Sequence, residues 1–105
     1  MRNYLPLAVI LLAPAVSAWN ACYCAGVKAR ADEAARSCCT AGDGVGFPKT
    51  NGDVLGRWDQ TEQVCRFAGS VLTQNTLAEA QGAFGACCTT LHANNKVTGG
   101  VCTTK

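Results

Sequence analysis

Cysteine is the residue with the most chemistry to offer in this chain, and its spacing decides which chemistry. The eight cysteines are Cys22, Cys24, Cys38, Cys39, Cys65, Cys87, Cys88 and Cys102. They form one C-x-C, two adjacent C-C pairs and two singletons. Structural zinc sites favour C-x2–4-C knuckles with matching partners, and His92 is the only histidine. No metal site and no cofactor are therefore expected. In a short chain bound for an oxidising compartment, such a set reads as a disulfide framework. A second chemistry would be acid–base catalysis on a phosphodiester, as in a small secreted ribonuclease. His92, Glu62, Glu79, Arg57 and Arg66 supply the types, an acid, a base and a cation for the phosphate. Glu79, however, belongs to a helix cap, and His92 follows a helix end, where an imidazolium suits the dipole. A non-catalytic protein is expected.

The elements that position the cysteines follow from periodicity. Residues 31–40 (ADEAARSCCT) and 80–89 (AQGAFGACCT) share the pattern A-x-x-A-x-x-x-C-C-T. Each is the back end of a predicted helix. Val27–Thr40 has Val27, Ala31, Ala34 and Cys38 on one stripe, and Gly42 follows as a stop signal. Thr76-Leu77-Ala78-Glu79 is a capping box opening the second helix. That helix carries Leu77, Ala80, Phe84, Cys87, Cys88 and Leu91 on one stripe. Beside it runs a stripe of small residues, Ala78, Gly82, Gly85 and Ala86, which predicts close approach of another backbone. Trp19–Gly26 alternates as a strand, with Trp19, Ala21, Tyr23 and Ala25 on one face and Cys22 and Cys24 on the other. Asp53–Trp58 and Glu62–Ala68 read as a hairpin, and Lys96–Thr103, after an Asn94-Asn95 turn, as a last, edge strand. Gly42–Gly56 is a glycine-rich connection with the Asn51-Gly52 turn and short strand pieces near Val45–Phe47 and Val54–Trp58.

Strand, helix, strand, strand, helix, strand is the split βαβ order, an α+β sandwich with an antiparallel sheet and both helices on one face. The first and third strands are then central, beneath the helices. Cys22 and Cys24 are poorly placed to bond each other, so both reach to other elements. Each helix is expected to send one cysteine down to a central strand and the other sideways, with Cys102 taking one of the sideways partners.

Leu5–Val16 is an apolar run behind Arg2, and Val16-Ser17-Ala18 offers small or apolar residues for a signal peptidase. The run is shorter than the roughly 20 residues of a membrane span. Residues 1–18 are expected to be a cleaved signal peptide, leaving residues 19–105 as a single disulfide-rich domain. Removal of Arg2 leaves eight basic against seven acidic side chains. Lys28, Arg30 and Arg36 are interrupted by Asp32 and Glu33, so neither a nucleic-acid footprint nor a polybasic membrane patch is present. No N-x-S/T acceptor occurs. Ordering a chain of this size costs about as much as its core returns, so bridges at about 2–4 kcal/mol each decide whether it folds.

Cys22-x-Cys24, a helix ending in Cys38, the Cys65-Arg66 strand, the Phe84-x-x-Cys87 helix and the final Cys102 resemble the killer-toxin subunits of smut fungi. The same layout is similar to that of small secreted cysteine-rich proteins of plant-associated fungi, the biotrophy-associated secreted effectors. The doubled cysteines at Cys39 and Cys88 depart from the pattern and imply an extra bridge. The resemblance implies a secreted, virulence-associated fungal effector that binds a host protein or wall component, in the apoplast or after entry into host cells. It also implies an alternative, an antimicrobial protein against competing cells. Trp58, Arg57, Phe47 and Lys49, from the glycine-rich connection and its exit, are the candidate contact residues. The competing reading of Trp58 and Phe47 is that they pack against the sheet or anchor the connection.

Overall fold

Strand β1 (Ala21–Gly26) runs through the interior of a four-stranded sheet in the computed structural model, which describes residues 19–42, 44–50, 52–91 and 96–104. The expected signal peptide at 1–18, Asn51 of the Asn51-Gly52 turn, His92 and the Asn94-Asn95 turn lie outside the described residues. After β1 come helix α1 (Lys28–Thr40), strands β2 (Arg57–Asp59) and β3 (Val64–Arg66), a short helix α2 (Gly69–Gln74), helix α3 (Leu77–Leu91) and strand β4 (Val97–Thr103). The strands lie in the order β2-β3-β1-β4, all neighbours antiparallel. The first and third strands are central, as the split βαβ order requires. Among the described residues no helix is long and apolar enough to cross a membrane.

Side-chain alternation places the helices. Cys22 and Cys24 share a face, and Cys22 sits opposite Cys65 in the ladder. Cys24 and Cys65 bond cysteines of α3 and α1 respectively, so both helices cover this one face. The buried stripe of α1 is Ala31, Ala34, Ala35, Cys38 and Cys39. Val27 is not part of it; it is the N-cap residue and 53% exposed. The capping box at α3 forms in full, with the Thr76 N–H donating to Glu79 Oε1 at 2.9 Å and the Glu79 N–H to Thr76 Oγ1 at 3.2 Å. Two orphan donors are thereby satisfied.

The small stripe of α3 acts at one position. A Cβ on Gly100 of β4 would lie 2.6 Å from the Gly85 nitrogen and 2.8 Å from its Cα. Helix and strand therefore meet backbone to backbone there. Gly82 faces open space, and Ala78 and Ala86 are exposed.

The core continues beyond the sheet as an aromatic cluster. Phe47 and Phe67 meet edge to face at 4.9 Å, Phe67 and Phe84 at 6.2 Å, and Trp19 lies 5.8 Å from Phe47. Trp19 thus turns to the helix side rather than following Ala21 and Tyr23, because strand alternation begins only at Ala21. Asn75, a buried polar side chain, knots this cluster to its surroundings. Its side chain accepts from the Lys49 N–H at 2.9 Å and donates to Thr50 Oγ1 at 2.8 Å and to the Val71 carbonyl at 3.1 Å. Its own carbonyl accepts the Trp19 indole N–H at 2.9 Å. Every polar group on this buried amide has a partner, which is what burial of an amide demands.

Candidate functional site

The four candidate contact residues divide between two places. Phe47 is 2% exposed, inside the aromatic cluster. It anchors the glycine-rich connection and offers nothing to a partner, which corrects its assignment as a contact. Lys49 is exposed, but its backbone is tied to Asn75 and its ammonium pairs with Glu79 Oε2 at 2.5 Å. That ion pair, then the Thr76 backbone N–H, holds the Glu79 carboxyl below its ordinary value.

Trp58 and Arg57 remain together on β2, the edge strand. Trp58 lies opposite Cys65 and so shares the helix face. There the Arg36 guanidinium of α1 sits 5.7 Å from its ring centroid, a cation–π arrangement. Gln60 locks the pair, its Oε1 accepting from the Trp58 indole at 3.1 Å and from Arg36 Nη2 at 3.3 Å. Trp58 is half-buried in this clasp, and one side of it stays open to solvent. The neighbouring Arg57 points to the opposite face of the sheet, opposite Arg66. It is exposed beside a cleft of about 420 Å³ shared with Leu55, Gly56, Arg66, Phe67 and Ala68. Leu55, 55% exposed, stands at the cleft mouth. Leu55 and Arg57, which line one cleft, make a surface suited to a partner bearing a carboxylate beside an apolar spot, and Trp58 lies on the other face of the same edge.

The edge is held by charge. Arg66 Nε donates to Asp59 Oδ2 at 2.9 Å, and Arg66 Nη1 reaches Asn20 Oδ1 at 3.4 Å. The Glu62 N–H donates to Asp59 Oδ1 at 3.1 Å. That N–H, then the Arg66 side chain, pulls the Asp59 carboxyl below its ordinary value.

The side chains weighed as an acid–base set are not brought together among the described residues. Glu79 lies at the start of α3 in the cap, Glu62 in the β2–β3 turn, and Arg66 is engaged by Asp59. His92 is outside the described residues. Cys24, Cys38 and Cys88 bring their sulfur atoms within 4.8 Å of one another. All three are disulfide sulfurs, and the metal ligand is the thiolate, so the oxidised cluster has no charge with which to hold a cation.

The disulfides themselves are Cys22–Cys102, Cys24–Cys88, Cys38–Cys87 and Cys39–Cys65. Each helix does send one cysteine to a central strand, Cys39 to β3 and Cys88 to β1. The sideways pair Cys38 and Cys87 bond each other. Cys102 is a correction: it takes Cys22, directly opposite on β1, and no helix cysteine. The Cα atoms of that pair are 4.0 Å apart, as cross-strand neighbours in the β1–β4 ladder. Asn75 was not visible as a structural hub from sequence; its one local signal is its place just before the Thr76 cap. Comparison with protein-family models, with curated proteins and with solved structures finds no match to this chain.

Proposed function

We propose that this is a secreted, cysteine-rich effector-type protein of a plant-associated fungus that acts by binding a host target without catalysing a reaction. One observation carries the reading most directly: a scaffold fixed by four disulfides presents Leu55, Arg57 and the Arg36–Trp58 clasp along one edge strand. Four disulfides belong to an oxidising compartment, and the leader-like sequence at 1–18 supports export. Aromatic and arginine side chains dominate binding hot spots when a partner desolvates them. Glu79 and Arg66, two of the side chains a ribonuclease would need, are engaged in structural pairs. The resemblance to killer-toxin subunits supports the same scaffold in an antimicrobial role, which the test below separates.

The test is capture on the oxidised protein from plant apoplastic and cell extracts, beside a fungal wall fraction. A saturable plant protein is expected, with affinity lowered about 10–100-fold by Trp58→Ala or Arg57→Ala. Retention of the partner by both variants would remove the β2 edge from the reading. Binding confined to fungal wall, together with growth inhibition, would replace the effector by the antimicrobial protein.

A further inference from the structure

We propose that Cys87 is a thiol-exchange site, a surface position where a small external thiol forms a mixed disulfide and passes the opening inward to Cys24–Cys88. The inference rests on three observations independent of the β2 edge. First, seven of the eight cysteines are buried, each 4% exposed or less, while Cys87 is partly exposed. Second, Cys87 lines an open cleft of about 300 Å³ between Gly44–Gly46 and the outer face of α3 at Ala83, Ala86 and Thr90. The walls are small side chains and glycine backbone, so a thiol on a flexible peptide can reach the sulfur. Third, behind Cys87 the sulfur of its partner Cys38 lies within 4.8 Å of both sulfurs of the Cys24–Cys88 bond.

Exchange proceeds by attack of a thiolate on one sulfur of a disulfide, and access selects which sulfur is attacked. An incoming thiolate bonds Cys87 Sγ, the Cys38–Cys87 bond breaks, and the electron pair leaves on Cys38. That thiolate is released in a buried position with little water to solvate it, and two disulfide sulfurs are its neighbours. It attacks one of them, forming Cys38–Cys88 or Cys38–Cys24 and releasing the displaced thiolate. No net oxidation or reduction occurs in the protein plus thiol; the disulfide count is conserved, with one bond now joining Cys87 to the external thiol. The other two bridges stand apart from this relay. Cys39–Cys65 ties α1 to β3, and Cys22–Cys102 ties β1 to β4.

Brief treatment of the oxidised protein with limiting reduced glutathione, an acid quench, alkylation with N-ethylmaleimide and fragmentation mass spectrometry tests this. Glutathione is expected on Cys87 in about tenfold excess over any other cysteine. The alkyl label is expected on Cys24 or Cys88, with Cys22, Cys39, Cys65 and Cys102 still bonded, and a label confined to Cys38 would overturn the inward step. Glutathione appearing first on another cysteine, a label among those last four, or no adduct under conditions that open a free cystine standard would each overturn the proposal. Ala86→Phe gives a second arm, because it fills the cleft from an exposed helix position. It should slow adduct formation about tenfold while the untreated disulfide map stays the same; an unchanged rate overturns entry through this cleft.

Discussion

The two halves of the molecule follow one plan and differ at their edges. The first half is β1, α1 and β2; the second is β3, α2, α3 and β4. Cys38 and Cys87 are equivalent positions of the repeated pattern, and they bond each other across a separation of 49 residues. The second cysteine of each pair crosses over, Cys39 to the central strand of the second half and Cys88 to that of the first. Neither half is stapled to itself. The outer strands break the likeness. β4 pairs with β1 along Ala21–Gly26 and is bonded to it by Cys22–Cys102, whereas β2 pairs with β3 over Arg57–Asp59 and is held by Asp59–Arg66. The helices repeat the contrast. Gly85 of α3 admits the backbone of Gly100 on β4, while the same repeat position in α1 is Arg36, which lies over Trp58 of β2. One edge is locked by covalent bond and backbone contact; the other is clasped by side chains, and that adaptable edge carries Trp58 and Arg57.

Removing the lock should make the two edges alike. Cys22 and Cys102 are 80 residues apart in sequence, but with Cys24–Cys88 intact the bond closes a ring of about 16 residues. A ring of that size stabilises by about 3 kcal/mol in the chain-entropy account. Cys22→Ala with Cys102→Ala should lose about that much in urea unfolding and raise amide exchange at Val101–Thr103 to the level of β2. Exchange left unchanged in β4 would show that backbone contact, not the bond, secures that edge.

The backbone contact can be broken separately. A methyl group at Gly100 meets fixed backbone at Gly85 and Phe84, so Gly100→Ala should destabilise by about 1–3 kcal/mol. Gly82→Ala, one turn away in open space, should instead stabilise by up to about 1 kcal/mol through helix propensity. Opposite signs from the same substitution in denaturant titrations would confirm that the small-residue stripe of α3 meets the β4 backbone at Gly85 and not at Gly82.

Most of this plan was legible because period and capping are local signals. The capping box, the stripe of Ala80, Phe84 and Cys88 and the close approach at Gly85 follow from side chains within one or two turns, and the central place of β1 and β3 follows from the order of elements. What was missed depends on contacts distant in sequence. Helix α2 (Gly69–Gln74) is too short to show a period, and it occupies the segment that sets Cys65 farther from Cys87 than Cys24 is from Cys38. Asn75 acts through Trp19, Lys49 and Thr50, none of them its neighbours. The Cys22–Cys102 bond needs the β1–β4 register, which alternation alone does not fix. For Phe47 the sequence leaves two readings, a contact or an anchor of the connection, and only the assembled Trp19–Phe67–Phe84 cluster decides for the anchor. For the candidate site, Trp58 and Arg57 could be named, but not that one faces α1 and the other the opposite side.

The adaptable edge should also be the acid-sensitive one. Asp59 is held below its ordinary value of 3.8, first by the Glu62 N–H and then by Arg66. A depressed folded-state value means that the carboxylate stabilises the fold above the unfolded value, and that this is lost as the pH falls through the folded value. Opening of β2 should therefore begin only below pH 3.8, read from the Trp58 indole N–H resonance or from amide exchange at Arg57–Asp59. β4, fixed by its disulfide, should not follow. Glu79 is depressed from 4.5 in the same direction, by Lys49 and the Thr76 N–H, so acid also loosens the anchor of the glycine-rich connection. Asp59→Asn separates the two: it should leave β2 open at neutral pH and remove its acid step, with the Lys49–Glu79 region still titrating. If β2 in that variant stays closed at neutral pH, the Arg36–Trp58–Gln60 clasp rather than the Asp59–Arg66 pair holds the edge, and an acid transition kept as in the parent would place the step on another carboxylate.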